Sequence, residues 1–129
     1  MSKLIRDSNR IKQTIDFSGL QNGKMHPSDI DAVLEYNNQA IIFIELKKIG
    51  NEIPTGQRLL LERLTDSWHT QQAITIKVVH NFMNYDDIPM HLCRVEKIYH
   101  NKKWIDHNDN LKDFLNKLGN KWKIDKLKF

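Results

Sequence analysis

The stretch AIIFIELKK, Ala40 to Lys48, decides how this chain is read. It opens as an apolar run fit for a buried strand, then sets a carboxylate at Glu45 and an ammonium at Lys47. Residues two apart in a strand share a face, so Glu45 and Lys47 point one way while Ile44 and Leu46 enter the opposite layer. Just upstream, Ile30 to Tyr36 (IDAVLEY) alternates, with Ile30, Ala32, Leu34 and Tyr36 on one side and Asp31, Val33 and Glu35 on the other. Two such strands separated by Asn37, Asn38 and Gln39 read as a hairpin.

The loop length sets which residues meet. A two-residue turn at Asn37-Asn38 would oppose Asp31 to Ile44. A three-residue loop pairs Tyr36 with Ala40, Asp31 with Glu45 and Asp29 with Lys47, and asparagine tolerates the left-handed backbone that such a loop needs. The odd-length loop is therefore expected. It brings two acids across a strand pair with Cβ atoms about 5 Å apart, where they repel unless a proton or a hard cation neutralises them. A divalent ion of the magnesium type takes carboxylate, carbonyl and water ligands and lowers the pKa of a bound water. Lys47 alongside would hold that water, or balance charge growing on a phosphate oxygen. This chemistry suits phosphodiester hydrolysis.

Working outward, Ser2 is placed to cap a helix that runs to about Asp16 on Leu4, Ile5, Ile11 and Ile15. Ser18 to Ser28 is a loop by its turn-forming residues. Thr55 is expected to cap a helix from Gly56 to about Gln71 with Leu60, Leu61, Leu64 and Trp68 as its buried stripe. Gln57 falls on the same stripe at the N-terminal end, where a polar amide needs a partner. Ala73 to His80 reads as a buried strand, Asn81 to Met90 as a loop, and His91 to Tyr99 with Lys102 to Ile105 as a second hairpin. Asn110 or Asp109 would cap a last helix striped by Leu111, Phe114, Leu115 and Leu118 and ended by Gly119.

Composition sets outer bounds. A chain of 129 residues, 40% apolar and 28% charged, has the size and make-up of one globular domain. Its single cysteine, Cys93, makes no internal disulfide and reads as a small buried apolar residue. The charged start MSKLIRDSNRIKQ does not read as a signal peptide, so the reducing cytoplasm is expected. No apolar run approaches the ~20 residues that span a bilayer, so no membrane partner is expected. A net charge of +4 admits a polyanionic partner without requiring one. The six histidines lack the cysteine partners and spacing of a zinc site, although His26 lies close to the proposed acids.

Asp31, thirteen intervening residues and then Glu45-Leu46-Lys47, preceded by Pro27 and with Asp29 close by, resembles the PD-(D/E)XK nuclease superfamily. The resemblance covers about residues 1–80, leaving about 91–129 as an extension within a single domain spanning 1–129. It implies an α/β fold of the restriction-endonuclease-like αβββαβ type, a mixed sheet flanked by helices, here with a C-terminal β-hairpin and helix. It also implies that Asp31 and Glu45, with Asp29 as an alternative or further ligand, bind magnesium or its substitute manganese. Lys47 would assist the water, and Gln57 looks like the glutamine that follows the E-x-K triplet in several branches. The chain departs from many members in having no glutamate on the first helix, where Asp7 and Asp16 are the acids present. The activity implied is a DNA endonuclease on duplex or branched substrates, with RNA left open. A homodimer would set two sites for two strands, as in Holliday-junction resolvases, and a phage or mobile-element gene is a natural home. The alternative reading is an inactive module of the same fold that binds nucleic acid or inhibits a protein. Arg58, Lys48, Lys24, Lys102, Lys103, Lys121 and Lys123 are the cations expected to meet phosphates.

Overall fold

The turn on which the register depends is built from two left-handed asparagines. In a computed structural model of the protein, which describes residues 15–83 and 86–129, Asn37 and Asn38 have φ of 48° and 58°. Gln39 is the extra residue that follows them, and its N–H donates to the Tyr36 carbonyl at 2.7 Å. The flanking strands, β1 (Ala32–Tyr36) and β2 (Ala40–Lys48), then pair antiparallel from Tyr36 with Ala40 to Ala32 with Ile44. The three-residue loop is thus present, with two left-handed residues, and its register is the one expected.

Past β2 the chain forms α1 (Thr55–Asp66) and returns as β3 (Ala73–His80), which lies parallel to β2. A short 3-10 turn at Met90–Leu92 leads into β4 (Arg94–His100), joined to β5 (Lys103–Asn110) through left-handed Asn101 and Lys102. The chain closes with α2 (Leu111–Trp122). Strand order follows chain order, β1-β2-β3-β4-β5, so the second hairpin extends the same sheet through β3.

The sheet separates two apolar layers. Ile42, Ile44, Ile74, Ile76 and Val78 meet Leu111, Phe114, Leu115 and Leu118 of α2 on one face. On the other, Phe43 and Ile53 pack with Leu61 of α1, whose side chain is fully buried and worth roughly 2–3 kcal/mol of hydrophobic stabilisation. Asn110 caps α2 by accepting the Asp113 N–H at 2.8 Å, as expected of it.

Several expectations need correction. The helix expected from Ser2 to about Asp16 lies outside the described residues, Ile15 and Asp16 excepted. Among the described residues two strands, not three, precede α1, with only an isolated bridge between Asn22 and Met25. The described part therefore shows an α/β mixed sheet rather than the whole αβββαβ order. Pro54, not Thr55, takes the N-cap position of α1, and no side chain caps that end. The helix stops at Asp66 instead of near Gln71 because Trp68 Nε1 and Thr70 Oγ1 both donate to the Gln39 carbonyl, at 3.1 and 2.7 Å, drawing the chain off the helix axis. Gly119 does not end α2, which continues to Trp122 and terminates at left-handed Lys123. Gly119 instead makes room for the C-terminal segment, since a Cβ there would run into the Leu127 backbone. Trp122, Ile124 and Leu127 are buried by this docking. No described helix is long and apolar enough to cross a membrane.

Candidate functional site

The site lies where the β1–β2 ladder ends. Asp31 sits one residue before β1, so in the register of the hairpin it stands opposite Glu45. Its Oδ2 accepts the backbone N–H of Leu46 at 2.7 Å, doing at the strand's end what a carbonyl does further along. Glu45 is 1% exposed because α1 covers this face of the sheet, and its Oε2 has no hydrogen-bond partner among the described residues. Burial pushes the Glu45 carboxyl from 4.5 up to about 8, with a hydrogen bond with Asp31 and the charges of Asp31 and Asp29 pushing the same way. The charge of Lys47 opposes the shift. At neutral pH a proton therefore sits in this acid pair, in the place where a cation would do the same neutralising work.

Lys47 stays half-buried on the same face as Glu45, two residues further along β2. Gln57, in the first turns of α1, donates from Nε2 to the Asp29 carbonyl at 2.8 Å. The amide thus has the partner its position called for, and it ties the segment before β1 to the start of α1. Lys24, His26, Pro27, Ser28 and Asp29 face Pro54, Gly56 and Gln57 across an open cleft of about 430 Å³. His26 Nδ1 lies 3.1 Å from the Pro27 carbonyl.

The remaining cations are scattered. Arg58 pairs with Glu62 at 2.6 Å on α1. Lys48 is exposed and by alternation points to the α2 side. Lys102 and Lys103 lie at the β4–β5 turn, which antiparallel pairing puts at the end of the sheet away from Glu45 and Lys47. Lys121, in the last turn of α2, and Lys123, its C-cap, lie on the other face. Of these cations expected to meet phosphates, Lys24 lines the cleft that holds Asp29. Four of the histidines also have local partners: His80 with the Phe82 N–H, His100 with the Ala73 carbonyl, His107 with Asp109, and His26 as above. Cys93 is buried, and burial pushes its thiol up.

Sequence reasoning overlooked Lys77. It occupies the middle of β3 directly beside Glu45, its side chain is 4% exposed, and its Nζ lies 2.6 Å from Glu96 and 3.7 Å from Glu52. The signal was available, because a lone lysine in AITIKVVH interrupts an apolar strand just as Glu45 and Lys47 interrupt theirs.

Among the described residues no group of three or more His, Cys, Asp or Glu side chains is gathered as a metal cage. The donor set is the Asp31–Glu45 pair with its orphaned buried oxygen, which fits a hard cation of the magnesium type, since that ion keeps most of its waters and takes one or two carboxylates. Compared with protein-family models, curated proteins and solved structures, the chain matches none.

Proposed function

We propose that the protein is a magnesium-dependent nuclease of the PD-(D/E)XK type that hydrolyses phosphodiester bonds in DNA. One observation carries the reading: two carboxyl groups, Asp31 and Glu45, meet across the end of a hairpin, and one buried Glu45 oxygen has no hydrogen-bond partner among the described residues. A buried acid of this kind is costly in a merely structural role and useful where a cation is to be bound.

Asp31 and Glu45 would hold the ion, which when bound supplies positive charge to a phosphate and lowers the pKa of water. Asp31 is held for this task by the Leu46 N–H, and Glu45 by the rigid centre of the sheet. Lys47, on the same face, would orient the attacking water or balance charge on the non-bridging phosphate oxygens. Gln57 holds the Asp29 carbonyl and so ties the segment before β1 to α1 along the cleft.

The test is incubation of branched, duplex and single-stranded DNA with the wild type, Glu45→Gln and Asp31→Asn, in magnesium, manganese or chelator. The reading expects cutting by the wild type in metal alone, and at least a hundredfold loss in each variant. Equal behaviour of all three on every substrate overturns it. Tight binding without cutting would favour the inactive, nucleic-acid-binding module instead.

A further inference from the structure

Residues directly opposite one another in neighbouring strands share a face, so the register draws transverse rows across the sheet. One row is charged throughout: Asp31 at the end of β1, Glu45 on β2, Lys77 on β3, Lys97 on β4 and Asp106 on β5. The next row runs Lys47, Val79, Arg94 and Asn110. Both lie on the α1 side, because Tyr99, two residues from Lys97 on β4, donates its hydroxyl to Asp66 of α1.

Lys77 and Lys97 are direct cross-strand partners, a like-charge pairing that opposes sheet formation. A bulge resolves half of it. In the β3–β4 pairing the consecutive Lys77 and Val78 face Lys97 and Val95, which admits Glu96 as an extra residue, and Glu96 neutralises Lys77 at 2.6 Å. Lys97 is left half-buried with no carboxylate at ion-pair distance among the described residues. Arg94 remains 42% exposed, with Glu96 only at 3.9 Å. The sheet thus keeps two cations on the face of the acid pair, Arg94 in a long pair with Glu96 and Lys97 opposite Asp106, two strands away at roughly 10 Å by strand spacing.

We infer that Arg94 and Lys97 bind the phosphate backbone of a nucleic-acid strand that also reaches the Asp31–Glu45 pair. Phosphates adjoining the one at the acids then fall to these two cations. This surface rests on the nuclease reading for its acid pair, but its test is binding in chelator, independent of cutting.

Labelled single-stranded and duplex DNA are titrated with the protein by fluorescence anisotropy over a range of salt. Arg94→Gln/Lys97→Gln is expected to weaken binding at least tenfold and to lower the salt slope by about two, one for each phosphate that is no longer neutralised. Lys112→Ala/Lys117→Ala removes the same charge from α2 on the opposite face and is expected to change neither. Lys97→Arg keeps the charge and is expected to keep the affinity, and thermal unfolding confirms that each variant is folded. Wild-type affinity and slope in the Arg94/Lys97 variant, equal weakening by both double variants, or no binding by the wild type would each overturn the inference. If Glu45→Gln cuts like wild type while the Arg94/Lys97 variant loses binding, the nuclease reading falls and the surface stands.

Discussion

Asp31 accepts the backbone N–H of Leu46 at 2.7 Å, so the acid that faces Glu45 also closes the end of the β1–β2 ladder. The two roles separate by substitution. Asp31→Ala leaves the amide without its acceptor and is expected to cost about 1–3 kcal/mol, whereas Asp31→Asn keeps a side-chain oxygen and stays within about 1 kcal/mol of wild type. Urea unfolding measures both. On the proposed function magnesium should stabilise the wild type and neither variant, and an asparagine variant as unstable as the alanine one would refute the hydrogen-bond account.

Glu45 sets a pH dependence of unusual sign. Its folded-state value of about 8 lies above the ordinary 4.5, so the folded protein holds a proton that the unfolded chain releases. Glu45 therefore costs nothing below about 4.5, destabilises increasingly from there to about 8, and costs a constant amount above, on the order of 5 kcal/mol. Without metal, the melting temperature of wild type should fall relative to Glu45→Gln as pH rises through that window. Magnesium affinity should rise over the same window and then level, with proton release visible by calorimetry in buffers of different ionisation enthalpy. A stability difference between the two proteins that does not vary with pH would contradict this.

Lys77 and Glu96 form a buried pair whose halves are unequal to remove. Glu96→Ala leaves an ammonium that is only 4% exposed with the longer contact to exposed Glu52, at 3.7 Å, and is expected to cost on the order of 3 kcal/mol. The double variant Lys77→Met/Glu96→Leu removes both charges and should recover most of that loss by chemical denaturation. If the double variant is no more stable than Glu96→Ala, the stranded charge is not the cause.

Two glycines give opposite outcomes. Gly119→Ala forces a methyl against the Leu127 carbonyl and should cost about 1–3 kcal/mol, unseating the C-terminal segment. Gly56→Ala meets no atom within 4 Å in the first turn of α1 and should be neutral or stabilising by up to about 1 kcal/mol. Thermal unfolding of the pair checks the contrast.

Much of the sheet was legible because its strands combine apolar runs with marked turns. The bounds of β3 follow from AITIKVVH alone, and the pairing of β1 with β2 followed from counting the loop. The Asp31–Glu45 meeting was legible for the same reason. The end of α1 was not, since it depends on side chains of Trp68 and Thr70 reaching a carbonyl about thirty residues away in sequence. Nor was Glu96, because a bulge is a property of the pairing between strands, here β3 with β4, and leaves no local mark in either one. Gly119 has the composition of a helix end, and only the return of the C-terminal segment shows that its missing side chain serves packing.

The Gln39 carbonyl, held by Trp68 and Thr70, has a consequence for how this chain is free to vary. Deleting one residue between Tyr36 and Ala40 would leave a two-residue turn that can close on the same pair, so the Asp31–Glu45 register does not depend on the loop's length alone. What a shorter loop would lose is the Gln39 carbonyl on which the chain leaving α1 is anchored. Length variation in natural or engineered descendants should therefore spare this carbonyl, a constraint that the exposed turn at Asn101-Lys102 has no reason to obey.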